Sequence, residues 1–318
     1  MYGRNRAGRY ARLHWRGSAL SWAGGRCRCQ AVRMHTWMVL AVALLGFWWL
    51  GTARAQVMEG RPPEGFQFAL HWTVYDVDEG DAMLLTCGGE SLLVDGGPQP
   101  FRDMLRRRLA EAGYMHLDTV LNTHYHDDHI DGLYSLFQSG FTAGEYLHGY
   151  SDAALAKDPR GSRTAKAAEA AGANLRRIGH GDALRLGESR IQVYQCTAIH
   201  NTNARSLVLH VTLGDTSLLL CADITGAAQH WLLENLPQDA LSADLVKLPH
   251  HGINPTVTEF LDAVNPAGLV VTNRPDRIEP ASRGQLDYRA LPVWFSGDGT
   301  VHGVTDGVDW YVWQEGID

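Results

Sequence analysis

The sequence predicts a mixed α/β domain with ligand-bearing turns at the ends of its strands. Two observations predict this. From residue 66 onward, strand-like runs alternate with helix-like ones in two successive halves. The histidines and aspartates that could hold a ligand cluster after those strand-like runs, where loops carry chemistry on a rigid scaffold. The densest cluster is Thr123-His124-Tyr125-His126-Asp127-Asp128-His129, between the apolar run 117–121 and a helix start at 130–137. At 45% apolar and 20% charged residues the composition is globular, and 318 residues suffice for one large domain. There is no internal repeat of solenoid length.

The N-terminus is different in kind. Residues 1–33 carry eight arginines and no acid, 38–50 is almost wholly apolar, and Ala53-Arg54-Ala55 has the small-x-small form of a cleavage site. This predicts a secretory signal peptide behind a basic extension, 1–55, removed before Gln56, and a mature domain of 56–318 in the periplasm or outside the cell. The apolar core is short for a membrane span, which needs about 20 residues, so no span is expected after cleavage. An uncleaved anchor, a start at Met34 and a basic nucleic-acid-binding arm are the other readings. Residues 1–55 hold nine of the 28 basic residues and none of the 35 acidic ones, which leaves a mature charge of −16. That balance argues against tight nucleic-acid binding, a local basic groove excepted, and is compatible with a small-molecule or phosphoester substrate. Three cysteines remain, Cys87, Cys196 and Cys221, all in apolar runs that suit buried thiols as well as a bridged pair.

The elements follow in order. Residues 66–76 alternate as a half-buried strand does, and 82–86 and 91–94 are two more strands joined by a turn at Gly88-Gly89. Residues 102–112 read as a helix with Met104, Leu105 and Leu109 on one face and a solvated arginine run. Strand 117–122 feeds the histidine turn. Helix 162–171, strand 190–197 and the hairpin 207–213/217–222 come next. Helix 225–236 and strand 244–248 lead to Pro249-His250-His251-Gly252. Helices 256–264 and 284–288, strands 267–272 and 292–295, and a closing hairpin around Asp306-Gly307 complete the chain.

The chemistry of the turn is metal binding. Imidazoles and carboxylates are the donors that zinc prefers. His124 and His126, two apart, can grip one ion, while Asp128 and His129 face a second. A polar loop holding these residues by chance is the alternative.

The His124-x-His126-x-Asp128-His129 pattern resembles the metallo-β-lactamase superfamily, and further segments are similar to the hydrolase domain of ComEC-type competence proteins. Those segments are Tyr75-Asp76-Val77-Asp78-Glu79-Gly80-Asp81-Ala82, Asp95-Gly96-Gly97, Arg205-Ser206-Leu207-Val208-Leu209, Cys221-Ala222-Asp223-Ile224 and Lys247-Leu248-Pro249-His250-His251-Gly252. Together they span roughly residues 70–314. The resemblance implies a four-layer αβ/βα sandwich, two mixed sheets face to face with helices outside. It implies two metal ions: His124, His126 and His200 on the first, Asp128, His129 and His251 on the second, and Asp223 bridging them. Asp95 would orient a ligand histidine from beneath. His148 is a rival to His200; His180 and His210 read as surface and mid-strand residues, and Cys221 as a packed one. His250 and Asp128 are the candidate catalytic residues, His250 as a contact to substrate or leaving group, with the reverse assignment of His250 and His251 open. An imidazole at His126, where redox di-iron relatives carry a carboxylate, favours two Zn2+ ions and hydrolysis; Mn2+ or Fe2+ also suits these ligands. The implied reaction is attack of a metal-bridging hydroxide on a phosphoester or phosphodiester. A β-lactam or lactone hydrolase is the second reading, and a non-catalytic binding module the third. Where relatives often carry a histidine-bearing turn, this chain has Asn273-Arg274-Pro275-Asp276-Arg277-Ile278-Glu279-Pro280, whose arginines read as ordinary loop charges, with contact to an anionic substrate as the alternative.

Overall fold

A computed structural model of the chain describes residues 54–316. The basic extension and the apolar leader core therefore lie outside the described residues. Among the described residues no helix is long and apolar enough to cross a membrane.

Among the described residues, sixteen strands form two sheets. The chain first lays down β1 (Val57–Glu59), β2 (Leu70–Val74), β3 (Met83–Cys87), β4 (Glu90–Val94), β5 (His116–Asn122), β6 (Thr142–His148) and β7 (Asn174–Arg177). It then builds the second sheet from β8 (Ala183–Leu186), β9 (Ser189–Tyr194), β10 (Val208–Leu213), β11 (Thr216–Leu220), β12 (Leu245–Lys247), β13 (Gly268–Val271) and β14 (Val293–Phe295). Finally β15 (Val301–Thr305) and β16 (Trp310–Gln314) return to the first sheet, which runs β1-β16-β15-β2-β3-β4-β5-β6-β7; the second runs β14 to β8 in sequence.

Side chains alternate across a strand, and here both faces are apolar. Trp72, Val74, Met83, Leu85, Leu92 and Val94 of the first sheet pack against Leu209, Val211, Leu218, Leu220, Leu245 and Val270 of the second. The intervening residues Leu84, Leu93, Val120 and Tyr146 face outward, under α1 (Arg102–Glu111), α2 (Asp127–Gln138), α3 (Asp152–Lys157) and α4 (Pro159–Ala170). Val208, Leu219, Val246 and Leu269 do the same under α5 (Gly226–Asn235), α6 (Thr258–Val264) and α7 (Pro280–Arg289). This is the expected four-layer αβ/βα sandwich.

The site is positioned by direction. Strands β4 to β7 run parallel, and so do β11 to β14. Their C-terminal ends bring Asp95, the 123–129 turn, Asp223, the His250-His251 pair and Thr272 to one rim of the sandwich. Helix α2 starts at Asp127, three residues before the expected start, with His126 as its N-cap. Asp127 and Asp128 in the first turn suit the positive end of the helix, so helical geometry aims Asp128 and His129. The helix rests on the Asp95-Gly96-Gly97 turn: Gly96 N donates to His129 O at 2.7 Å, and a Cβ on Gly132 would meet Gly96 O at 1.8 Å.

Four described elements lacked a periodic signal. β1 is three residues long, α3 is six, and β7 and β8 are four each, with Asn174-Leu175-Arg176-Arg177 showing no buried face.

Candidate metal centre

Four non-glycine residues at this rim have left-handed backbone: Asp95 (φ 56°), Ala222 (φ 45°), His250 (φ 50°) and His251 (φ 52°). Each follows the end of a parallel strand. Such conformations cost energy in L-residues and gather where a functional arrangement demands them.

The donor atoms form two groups around Asp223. On one side, His129 Nε2 and His251 Nε2 lie 3.2 Å apart and each is 3.2 Å from Asp223 Oδ1. Asp128 Oδ2 joins them, 3.2 Å from His251 Nε2 and 3.8 Å from His129 Nε2. On the other side, His124 Nε2 is 3.2 Å from His126 Nδ1 and 3.6 Å from Asp223 Oδ2. Two donors on one tetrahedral zinc, at the usual bond lengths, stand about 3.3 Å apart. Each oxygen of Asp223 thus faces its own set of donors at ligand spacing, as a bridging carboxylate does.

The far nitrogens of the rings decide which atom faces inward. His129 Nδ1 donates to Asp95 Oδ2 at 2.8 Å. Asp95 also accepts from Asn122 Nδ2, Thr123 N and Thr123 Oγ1. Because the Thr123 hydroxyl gives its proton to Asp95, it accepts from His124 Nδ1 at 3.1 Å. Likewise Thr272 Oγ1 donates to Asp81 Oδ1 at 2.7 Å and accepts from His251 Nδ1 at 2.8 Å. All three imidazoles therefore turn the Nε2 lone pair inward. They face Asp223 Oδ1 and Oδ2, and Oδ1 is buried without a hydrogen-bond partner. Lone pairs aimed at a carboxylate need positive charge between them, and a pair of metal ions fits that requirement.

The electrostatics show the same demand for positive charge beside Asp223, which protons on His129 and His251 can also meet. Burial opposes ionisation of Asp223, yet His251 and His129 outweigh it and hold the carboxyl well below its ordinary range. Asp128 is drawn down to about 2 against its burial, through its contact with His251 and the charge of His129. Burial works against charge on His129 and His251 too, but Asp223 drives both up, His251 to about 10. His124 goes the other way, lowered by burial and by the neighbouring His129.

Beneath the donors lies an ion pair that sequence reasoning missed. Lys247 and Asp81 are fully buried, with Nζ 2.6 Å from Asp81 Oδ2. Nζ also donates to Ala222 O at 3.0 Å and stands 3.7 Å from Asp223 Oδ1. Burial works against the charged ammonium, but Asp81 and Asp223 outweigh it and raise Lys247. Asp81 reaches across to β13 through Thr272, so it steadies His251 as Asp95 steadies His129. A signal existed: Lys247 sits inside the apolar run Leu245-Val246-Lys247-Leu248, where only a buried partner accounts for a lysine.

Of the residues singled out from sequence, the fold brings together His124, His126, Asp128, His129, Asp223 and His251, with Asp95 beneath. His200 stands apart from them. It is exposed, on the loop after β9, and lines a cavity of about 190 Å³ with Tyr125, Tyr150 and Arg205. His148 is buried, and its Nδ1 accepts from Tyr150 N. His250 Nε2 lies 3.9 Å from Asp223 Oδ2. Arg274 and Arg277 pair with Asp276 and Asp78. The three cysteines of the described residues are buried and unpaired.

The family model described as the metallo-β-lactamase superfamily matches residues 75–272, which contain every one of these donors. The chain belongs to that superfamily. Members are generally metal-dependent hydrolases, though hydroxylases also occur among them. YhfI from Bacillus subtilis, described as a metallo-β-lactamase fold protein, is 15% identical and matches 71% of this chain and 96% of its own, with a TM-score of 0.49. CmlA, described as a diiron β-hydroxylase from Streptomyces venezuelae, is 13% identical with a TM-score of 0.48, over 73% of this chain and 53% of CmlA. A diphosphatase of the PhnP family is 14% identical with a TM-score of 0.42, over 70% and 94%. These likenesses concern the fold. No curated protein matches the chain.

Proposed function

We propose that this chain is an exported, binuclear zinc hydrolase of phosphoesters, related in its chemistry to the ComEC-type hydrolase domains. The observation that carries the reading is the division of donors between the two oxygens of Asp223. When bound, such a metal pair lowers the pKa of water toward neutrality and polarises the oxygen of a scissile centre. The protein's own part is to hold that pair rigidly. Asp95, Thr123 and Thr272 fix three rings with Nε2 inward, and the Lys247–Asp81 pair fixes the floor under Asp223. Dry burial of these groups strengthens every charge interaction at the rim.

The phosphoester is favoured by what lies beside the centre. Tyr125 stands between the ligands His124 and His126 in sequence and also lines the cavity with His200 and Arg205. Arg205 has no carboxylate within ion-pair distance among the described residues, and a guanidinium suits the oxygens of a phosphoryl group. In this reading His200 serves the substrate cavity. Purified, zinc-loaded protein should hydrolyse bis-p-nitrophenyl phosphate and leave a chromogenic cephalosporin intact. Cleavage of the cephalosporin without any phosphoester turnover would replace this reading with the β-lactamase one.

Export rests on the leader pattern. Arg54 and Ala55 just before the cleavage point pack on the domain in the uncut chain: Arg54 Nε is 3.1 Å from Asp244 Oδ1, and Ala55 is buried. Mass spectrometry of the periplasmic or secreted protein should find Gln56 first; a cytoplasmic chain that keeps residues 1–33 would refute export.

A further inference from the structure

The two donor sets around Asp223 are unequal as described so far. The Oδ1 side has His129, His251 and Asp128. The Oδ2 side has only His124 and His126, and the loop expected to add a third imidazole holds His200 away from them. We propose that His250 is the missing donor, so that the adjacent residues His250 and His251 serve the two ions separately, one each. The proposal rests on the two-metal reading above.

The geometry points to this in three ways. First, His250 Nε2 is 3.9 Å from Asp223 Oδ2, the same oxygen that His124 approaches at 3.6 Å, while His251 Nε2 addresses Oδ1 at 3.2 Å. One carboxylate is therefore shared between neighbours in sequence, with one oxygen for each ring.

Second, the backbone is shaped for it. In an extended chain successive side chains point to opposite faces, and adjacent histidines at the end of β12 could not both reach one carboxylate. His250 (φ 50°, ψ 46°) and His251 (φ 52°, ψ 22°) are instead both left-handed, followed by Gly252 at φ 68°. This tight turn puts the ring centroids 6.1 Å apart on the same carboxylate. Two consecutive strained residues are costly for one ligand and explicable for two. His250 N donating to Ala222 O at 2.9 Å ties the turn to the backbone beside Asp223 itself.

Third, the ring has the tautomer a ligand needs. His250 Nδ1 lies 3.2 Å from Asn254 Oδ1, so Nδ1–H is donated outward and Nε2 keeps its lone pair toward the centre. This is the arrangement already seen in His124, His129 and His251. A general acid needs a proton directed at the substrate, and here the proton-bearing nitrogen is turned away. The 197–205 segment contributes Asn203, whose amide lies 3.3 Å from His250 Nε2 and whose Oδ1 is buried without a partner. Nε2 has one lone pair, so the Asn203 Nδ2–H that it accepts from must give way when an ion binds there.

The test is metal content and affinity rather than turnover. Wild type, His250→Ala, Asn254→Ala and His200→Ala are stripped, titrated with Zn2+ or Co2+, and measured by elemental analysis and by the absorption of the cobalt form. Wild type and His200→Ala should hold two ions. His250→Ala should keep one and lose the other, with a changed cobalt spectrum. Asn254 is exposed, so Asn254→Ala keeps the fold intact and should weaken one of the two ions by about 10- to 100-fold, the usual effect of removing a support behind a ligand. Two ions of undiminished affinity in both His250→Ala and Asn254→Ala would overturn the proposal while leaving the two-metal reading in place. Loss of an ion in His200→Ala would overturn it too. Fewer than two ions in wild type would remove the two-metal reading first.

Discussion

At the scale of single residues, the centre is decided by atoms behind the ligands. Asp95 accepts four hydrogen bonds, one from the ring of His129 and the others from Asn122 and Thr123. Asp95→Asn turns one acceptor into a donor and releases His129 from its tautomer. The expected result is a metal affinity about 10- to 100-fold weaker at one ion; unchanged affinity by zinc titration would show that Asp95 has no such role. Lys247→Met makes a harsher change. It leaves Asp81 buried and charged without its partner, and breaking a buried pair from one side costs about 3–5 kcal/mol. Urea unfolding should show that loss even in metal-free protein. The double variant Lys247→Met with Asp81→Leu should recover much of it, because both charges are then gone.

At the scale of elements, what was legible in the sequence was whatever repeats. Trp72 and Val74 against Thr73, and Leu209, Val211 and Leu213 against His210 and Thr212, announce strands by alternation. They also name the face that packs between the sheets. Trp72→Ala, in the middle of that layer and fully buried, should cost about 3–5 kcal/mol, read as a drop in the urea midpoint. The motif residues were legible for a different reason: ligands in short spacing cannot be spread out, so His124, His126, Asp128 and His129 had to share a turn. Asp223 and His251 joined them only through resemblance, since nothing local says that β11 and β12 end opposite β5. The Asp81–Lys247 pair stayed hidden because its members lie far apart in the chain; His250 was singled out, but its neighbours were not. Asp81 meets Lys247 and Thr272, and His250 meets Asn203. His200 was placed by its position between strand and hairpin. In the structure His200 is exposed, and the short turn at Asn203–Arg205 that follows puts the Asn203 amide beside His250.

At the scale of the whole molecule, the candidate metal centre spans the seam between the two sheets. Asp95 and His129 come from the side of the first sheet; Asp223, His250 and His251 come from the second. Without cations, only the rings of His124, His129 and His251 meet the carboxylate of Asp223 across that seam, and it draws protons onto His129 and His251. Metal should therefore act as a clamp on the sandwich and not merely as a catalyst held at its edge. A ligand that binds only the folded state adds stability in proportion to the logarithm of its saturation, about 2.7 kcal/mol for one site at a hundred times its Kd. Two ions bound more tightly than that should stabilise more. Thermal unfolding of the zinc-loaded domain should thus shift downward by several degrees when a chelator is added, and return on adding zinc. Asp223→Ala removes the bridge and the seam's central negative charge together. Its midpoint should sit near that of the chelated wild type and respond little to either treatment. A wild-type midpoint that ignores chelator, in protein shown by elemental analysis to have held two ions and lost them, would mean that the sandwich is closed by its apolar layer alone and that the ions bear no structural load.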